Sequence, residues 1–572
     1  QRLSRGLGDV YKRQHWISIL GYVLFAAKKK MKLKIFISVL LIIITSIAFF
    51  WKELFFLYII NFVFDRNEVS INREISWKQG PEVRIDNRPN IIVIVADDLG
   101  INDLTGYDDL TPGGTVSTPN IDFIANNGIK FKNAYAGSAS CAPSRGMIVT
   151  GRYATSTGYE FTPMPDGMAR ALHLLGRGTT TLFDENIKNN PPYDLQGLPT
   201  KELTFADSLK KADYYTAHIG KWHLGRGPDF HPLARGFDES LLMASGLFMP
   251  EDSPDVVNAK ITSDPIDKFL WATMDAAVSF NETSRDDNWF EPRGYLTDYF
   301  TNEAIKVIEA NKNRPFFLYL AHWGVHTPLQ AKREDYNALT EIKDHKLRVY
   351  AAMIRALDRS VGKIIETLKD NGLDKNTWVV FTSDNGGAGY IDLRYINSPY
   401  RGWKLTLFEG GIKVPLIFWK NGIQSKEINE RAAHIDLLPT IQGLINQPLS
   451  SNTDGVDLFA DNLDIAKRPL FWKTGHNQVV IKDDWKLQIS KFPEKTWLYN
   501  LKTDPIEKIE LSTIHTEKVS ELQDLLQLHV ANAKSSIYQP PLLASTAIDL
   551  TQDEGMEALE NNKPHERVNI AN

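Results

Sequence analysis

The residues best equipped for chemistry stand at the ends of short apolar runs. Asp97 and Asp98 follow the run 91–96, and Lys221 and His223 follow 214–219. His322 and His326 follow 316–321, and Asp384 and Asn385 follow 378–382. Alone, the paired aspartates read as a turn or a helix cap, and "SDNGG" reads as a turn. Together, Asp97, Asp98, Asp384 and Asn385 make a set of hard oxygen donors. Three carboxylates gathered in one place repel one another unless a cation joins them. All-oxygen ligation favours Ca²⁺ or Mg²⁺ over Zn²⁺, and Ca²⁺ better tolerates a crowded, irregular cage. A second centre is Cys141, the only cysteine among 572 residues. Pro143 suits the first turn of a helix. The free N–H groups of that helix start, with Arg145 and Arg152 nearby in sequence, offer a landing place for an anion. A helix N-terminus also lowers a thiol pKa, so a thiolate nucleophile is one reading. The converging carboxylates oppose it, and a thiolate mechanism would want a paired histidine.

These groups need elements to position them. The β-branched apolar runs suit strands buried on both faces, and a further run lies at 413–419. Helical patterns fall between them: 118–128, with Pro119 at its start and Gly128 after its end, then 298–314 and 347–372. Strands alternating with helices indicate an α/β domain with a largely parallel sheet. In such a sheet ligands bind beyond the carboxyl ends of the strands, so four runs would deliver polar groups to one edge. After about residue 445 the pattern changes. "WKLQISKF" and "TWLYNLKTDP" read as strands of an antiparallel sheet and "TEKVSELQDLLQLHVANAKSS" as an amphipathic helix, a smaller C-terminal α+β domain.

Composition adds bounds. Hydrophobic residues are 43% and charged residues 24%, ordinary globular usage, and the net charge is -5. A nucleic-acid binder is expected to carry a basic surplus, so no nucleic acid is expected as a partner. An anionic substrate needs only local positive charge. From Met31, two lysines precede an apolar run at 35–51, roughly long enough to span a bilayer. Lys28 to Lys34 give it a positive, cytoplasmic side. The expectation is an exported protein, periplasmic or extracellular, anchored by its N-terminal segment. The shorter patch at 54–64 is expected at the membrane interface. The domain reading is then a non-native leader at 1–30, a signal anchor or signal peptide at 31–64 and a linker at 65–88. A catalytic domain at 89–445, a C-terminal subdomain at 446–537 and a loosely packed tail at 538–572 follow.

The run Cys141-x-Pro143-Ser144-Arg145, continued by Thr150-Gly151-Arg152, resembles the signature of the type I, formylglycine-dependent sulfatases, arylsulfatase-like members of the alkaline phosphatase superfamily. "GKWHLG" at 220–225 resembles their second signature. "ADDLG", "HTPLQ", "SDNGG" and "RGWKLTLFEGGIKVP" resemble further blocks, in family order. The resemblance covers roughly residues 88–510. It implies an alkaline-phosphatase-like fold, a mostly parallel mixed sheet flanked by helices. It also implies conversion of Cys141 to formylglycine by a maturation enzyme. The hydrated aldehyde would attack sulfur as a diol and release sulfate by collapse.

By the same resemblance, Asp97, Asp98, Asp384 and Asn385, with the modified Cys141, are the ligands of one Ca²⁺. Arg145 steadies the diol and the metal shell, and Lys221 and Lys404 hold sulfate oxygens. His223 is the base on the diol, and His326 protonates the leaving oxygen. His322 is read as structural or substrate-lining, His434 as part of a helix, and Asp436 as a local cap. The implied substrate is an aryl or carbohydrate sulfate, with 155–200 and 225–297 as candidate substrate loops. Two other readings stay open: a phosphate or phosphonate ester hydrolase of the same superfold, and an exported protein that binds sulfated glycan without turning it over.

Overall fold

Four apolar segments, Tyr215–Gly220, Phe316–Ala321, Asn90–Ala96 and Thr377–Ser383, lie side by side in that order and run parallel. Every residue of the first three is buried, which is why their sequences carry near-continuous apolar runs instead of alternating ones. They form the centre of an eleven-stranded sheet. Beyond Tyr215–Gly220 come Glu239–Met243, Val278–Phe280, Phe290–Glu291 and Ser70–Ile71; beyond Thr377–Ser383 come Leu416–Trp419, Ile129–Tyr135 and Lys426–Ala433. Six of its ten neighbour pairings are parallel, so the sheet is mixed but mostly parallel. The computed structural model describes residues 40, 69–71, 73–84, 86–175, 180–261, 264–282, 288–393, 395–448, 452–460, 465–491, 494–546 and 568–569. The leader at 1–30 and the apolar segments at 35–51 and 54–64 lie outside these, Leu40 excepted. Among the described residues no helix is long and apolar enough to cross a membrane.

Side chains alternate across the strands, and each face meets its own layer of helices. Ile92, Ile94, Leu318 and Leu320 share one core with helices Leu296–Ala310 and His345–Asp370. Ile91, Val93, Phe317 and Tyr319 share the other with helices Cys141–Thr150, Phe205–Lys211 and Leu437–Leu444. Asp344 starts the long helix by accepting from Leu347 N–H at 2.7 Å. The three helices expected at 118–128, 298–314 and 347–372 are present as Pro119–Asn126, Leu296–Ala310 and His345–Asp370.

Two segments depart from expectation. Residues 65–88, read as a linker, pack onto the sheet where they are described. Ser70–Ile71 pairs with Phe290–Glu291, and Trp77 donates from Nε1 to Glu303 Oε2 at 2.9 Å while its ring meets Phe280 edge-on at 5.0 Å. Ile75 and Trp77 are the apolar residues of this polar stretch that are buried, while Val83 stays exposed. The start of the tail is also packed. Leu542–Thr546 pairs with Thr180–Leu182, and the Tyr538 hydroxyl both donates to Gly197 O and accepts from Gly197 N–H, each at 2.8 Å.

The C-terminal strands Leu470–Thr474, Asn477–Lys482, Trp485–Lys491 and Glu494–Asn500 form a separate antiparallel meander. Helix Thr516–Ala531 covers it, burying Leu522 and Leu526 against Val480, Leu487 and Leu498. This sheet joins the large domain through an ion cluster with almost no exposure. Lys486 Nζ lies 3.0 Å from Glu409 Oε1 and 2.7 Å from Glu507 Oε1. Burial pushes the Glu507 carboxyl up to about 7 even with Lys486 beside it. Removing one member of a buried ion cluster strands the others. Lys486→Ala is therefore expected to destabilise by about 3–5 kcal/mol, read from the midpoint of urea unfolding. Lys482→Ala, which breaks the half-exposed pair with Glu521, should cost no more than about 1 kcal/mol.

Candidate active site

The strand ends determine where the site lies. Asp97 and Asp98 leave Asn90–Ala96, and Asp384 and Asn385 leave the neighbouring Thr377–Ser383. Lys221 follows Tyr215–Gly220, and His326 lies five residues past Phe316–Ala321. Successive strand residues point to opposite faces. Asp98 escapes this by turning into the left-handed region at φ 58. Both carboxylates thereby reach one point: Cys141 Sγ lies 3.7 Å from Asp97 Oδ1 and 3.8 Å from Asp98 Oδ1.

Cys141 is the first residue of helix Cys141–Thr150, every residue of which is buried. The helix ends at Gly151, φ +66, where a Cβ would stand 3.0 Å from Ile435 O; glycine is the residue that fits this left-handed cap. Arg145, one turn on from Cys141, is completely buried. Its Nη2 lies 3.0 Å from Asp97 Oδ2 and 2.8 Å from Asp384 Oδ2, its Nε donates to Asp384 Oδ2 at 2.9 Å, and its Nη1 donates to Lys221 O at 3.1 Å. Ser144, on the same turn, donates to Asp384 O at 2.5 Å and lies 3.0 Å from His434 Nδ1. His434 Nε2 is 3.1 Å from Thr382 Oγ1. His434 belongs to the short turn His434–Asp436 and braces the cysteine helix against the strand that carries Asp384. Asp436 accepts from Ala433 N–H at 2.8 Å and pairs with Arg468.

Two lysines complete the charge balance. Lys221 Nζ lies 2.6 Å from Asp97 Oδ2, and Lys404 Nζ lies 2.8 Å from Asp98 Oδ1 and donates to Tyr390 OH at 3.1 Å. Burial favours a neutral Asp97, but Lys221 and Arg145 outweigh it and hold the carboxyl below its ordinary range. Burial opposes a charged Lys404, and Asp98 overcomes it and holds the ammonium well above its ordinary range. The Cys141 thiol goes the other way. Burial, and then Asp384, push it far up, which favours the thiol over the thiolate. Burial, and then the surrounding cations, hold His223 and His326 well below the ordinary imidazole range. His326 Nδ1 sits 2.5 Å from Thr327 O and Nε2 sits 3.6 Å from Asp98 Oδ2.

The structure thus brings Asp97, Asp98, Cys141, Arg145, Lys221, His326, Asp384, Asn385 and Lys404 to one edge. His223 lies close enough for Lys221, Arg145 and Lys404 to act on it, and its buried Nδ1 has no hydrogen-bond partner among the described residues. Arg152 is elsewhere: the chain reverses at Gly151 and Arg152 pairs with Glu202. It does not join the anion site expected of it. His322 is fully buried, with Nε2 2.9 Å from Ser360 Oγ. Tyr390 and Trp323 also belong to the site. Trp323 falls two residues past Phe316–Ala321 and Tyr390 in the short 3-10 turn Gly389–Ile391, and no spacing in the sequence singles either out.

A cation suits this donor set. Asp97, Asp98, Cys141 and His326 each present an atom, all within 4.8 Å of one another. Asp384 faces Arg145 more than this cluster. Asn385 donates to Asp98 Oδ1 at 2.8 Å, while its own buried Oδ1 accepts from none of the described residues. An orphaned hard oxygen beside buried carboxylates is what an oxygen-seeking divalent ion would satisfy.

Comparison with known proteins agrees with this arrangement. The Sulfatase family model matches residues 89–447. N-acetylgalactosamine-6-sulfatase of Mus musculus is 31% identical over 405 residues, covering 69% of this chain and 70% of that protein. Steryl-sulfatase of Homo sapiens is 32% identical over 434 residues, covering 65% and 69%. The crystal structure of Ps i-CgsB in complex with k-i-k-neocarrahexaose superposes with a TM-score of 0.64 at 29% identity, over 79% of this chain and 94% of that one. The family match spans the four central strands, the cysteine helix and the acidic, basic and histidine residues gathered at their ends, and the chain belongs to the sulfatase family of enzymes.

Proposed function

We propose that this sulfatase hydrolyses sulfate monoesters at a Ca²⁺ site, with Cys141 serving as the precursor of its nucleophile. The observation that carries this reading is the place of Cys141: the first residue of a buried helix, its Sγ facing Asp97 and Asp98. Burial and the nearby Asp384 favour the protonated thiol there, a poor nucleophile. Its place at the focus of the site calls for conversion to another group. Formylglycine at this position supplies, on hydration, one hydroxyl to attack sulfur and a second through which sulfate is released. Asp97, Asp98, Asp384, Asn385 and the modified residue 141 would hold Ca²⁺, which supplies positive charge that favours a deprotonated oxygen nucleophile.

The remaining work falls to the chain's own side chains. Arg145 fixes Asp97 and Asp384 relative to the start of the cysteine helix. Lys221 and Lys404 are the cations available to sulfate oxygens, where charge grows in the transition state. His223 accepts a proton at the nucleophile. His326 carries one to the leaving oxygen from Nε2; its Nδ1, held at Thr327 O, fixes the tautomer. The free site keeps His326 neutral, and the negative charge of a sulfate ester offsets Lys404 and favours the protonated ring.

The substrate is read as a carbohydrate or aryl sulfate. The names of the N-acetylgalactosamine-6-sulfatase relatives and the saccharide complex of the structural relative put carbohydrate first. The implied partners are that ester and a formylglycine-generating maturation enzyme. Export, with anchoring through the apolar run at 35–51, is part of the same reading.

Mass spectrometry of the peptide carrying Cys141, after co-expression with a maturation enzyme, should show formylglycine in place of cysteine. An intact thiol in protein that turns over sulfate esters would sink the precursor reading. Lys221→Ala should lower kcat about 10²–10³-fold, the cost of losing one donor to developing charge. Dialysis against a calcium-selective chelator should lower both activity and melting temperature, and Ca²⁺ should restore both better than Zn²⁺. Unchanged activity and melting temperature after complete removal of the ion would overturn the metal assignment.

A further inference from the structure

Building on the roles proposed for His326 and Lys221, we infer that Trp323 is a positioning residue that sets both groups against the sulfate ester. Trp323 lies two residues past strand Phe316–Ala321 and is 6% exposed. Its ring lies nearly flat against the His326 imidazole, with centroids 4.0 Å apart and planes at 24°. Lys221 Nζ stands 4.7 Å from the centroid of the same ring. One indole therefore touches both the group placed to protonate the leaving oxygen and a group placed to hold sulfate.

The ring is itself held. His326 N–H donates to Trp323 O at 2.9 Å, a tight turn that folds two rings three residues apart onto each other. The turn is stitched to the metal-side strand on both sides of Asp97: Val325 N–H donates to Asp97 O at 2.8 Å and Asp97 N–H to Gly324 O at 2.9 Å. The indole Nε1 donates to Gly246 O at 2.8 Å, which fixes the plane of the ring. Gly246 lies in the 225–297 region expected to contact substrate, so the ring also ties that region to the proton donor.

The physical consequence is restricted freedom in two flexible groups. An imidazole anchored only at Nδ1 can still tilt. Stacking holds its plane and so fixes where Nε2 aims. An ammonium on a four-carbon stem samples many rotamers, and the π face favours those that keep it over the ring. A tryptophan that merely filled core space would affect all substrates alike. One that positions a proton donor matters most where the leaving oxygen most needs a proton.

The test uses the matured full-length protein with two esters: para-nitrophenyl sulfate, whose leaving group needs little protonation, and a sugar sulfate, whose leaving group needs much. His326→Ala is the reference and should lose far more kcat on the sugar ester. Trp323→Leu should show the same bias, with about ten- to a hundredfold more loss on the sugar ester, a share of the about 10²–10⁴-fold that a placed acid contributes. Inhibition by inorganic sulfate should weaken alongside. Trp323→Phe keeps a ring but loses the bond to Gly246 O, and should show the same bias at smaller size. Equal loss on both esters with unchanged sulfate inhibition would overturn the inference and leave Trp323 structural. If Trp323→Leu does not fold, Trp323→Phe decides by the same criterion. Absence of bias in His326→Ala would instead overturn the proton-donor role of His326, and the sulfate inhibition constants would then decide for Lys221 alone.

Discussion

Three carboxylates at the carboxyl edge of the sheet have almost no contact with water. Asp97 and Asp384 are 0% exposed and Asp98 is 2%. Buried like charges are costly unless paired, and much of the local structure answers that cost. Arg145 spans Asp97 and Asp384, Lys221 meets Asp97, and Lys404 meets Asp98. Because Arg145 is one turn along its helix from Cys141, the position that satisfies the carboxylates also fixes where residue 141 stands. The site and the docking of the cysteine helix are one arrangement. Ser144 and His434 hold its second side, and helix burial against Tyr159 and Leu198 holds its third.

The same constraint reaches the C-terminal sheet. Lys404 comes on a loop whose backbone is bonded at this residue and the next: Lys404 N–H donates to Gly387 O at 3.0 Å and Leu405 N–H to Ala139 O at 2.8 Å. A few residues on, Glu409 N–H donates to Glu507 Oε2 at 2.6 Å, and the Glu409 side chain meets Lys486 of the small sheet. Arg401 Nη1 donates to Glu507 O at 3.3 Å. Lys486 of the small sheet and Glu507 beyond its last strand thus clamp both ends of the segment that carries Lys404. Their role in the site is mechanical, through the loop, and this gives the C-terminal residues a reason to be ordered around a buried ion cluster.

Much of this was legible in the chain. Strands buried on both faces write themselves as apolar runs, so the four central strands and the polar residues at their ends could be read directly. Ile129–Tyr135 and Lys426–Ala433 could not. They lie toward one edge of the sheet, carry Lys, Asn, Glu and Arg on partly exposed faces, and blur the apolar pattern. The docked segment around Trp77 and the packed residues around Tyr538 were hidden for a related reason. Each owes its order to one or two side chains and to pairing with strands far away in sequence, and average polarity does not see that. Arg152 misled because proximity along the chain stood in for proximity in space, and the left-handed turn at Gly151 breaks that link.

The sequence by itself determined the chemical inventory: which carboxylates, lysines and histidines follow strands, and the cysteine at a helix start with Arg145 one turn on. Those are local properties, set by periodicity, turn chemistry and residue type. Only the tertiary structure decided how the groups share charge: that Arg145 bridges two strand ends, that Lys221 and Lys404 divide between Asp97 and Asp98, and that the Cys141 thiol is buried facing both carboxylates. It also brought to the site Trp323 and Tyr390, which no spacing singles out, and placed His434 as a brace between the cysteine helix and the strand of Asp384. Pairing energies and burial depend on separations between residues up to about three hundred positions apart in the chain, and those distances exist only once the sheet has closed its order.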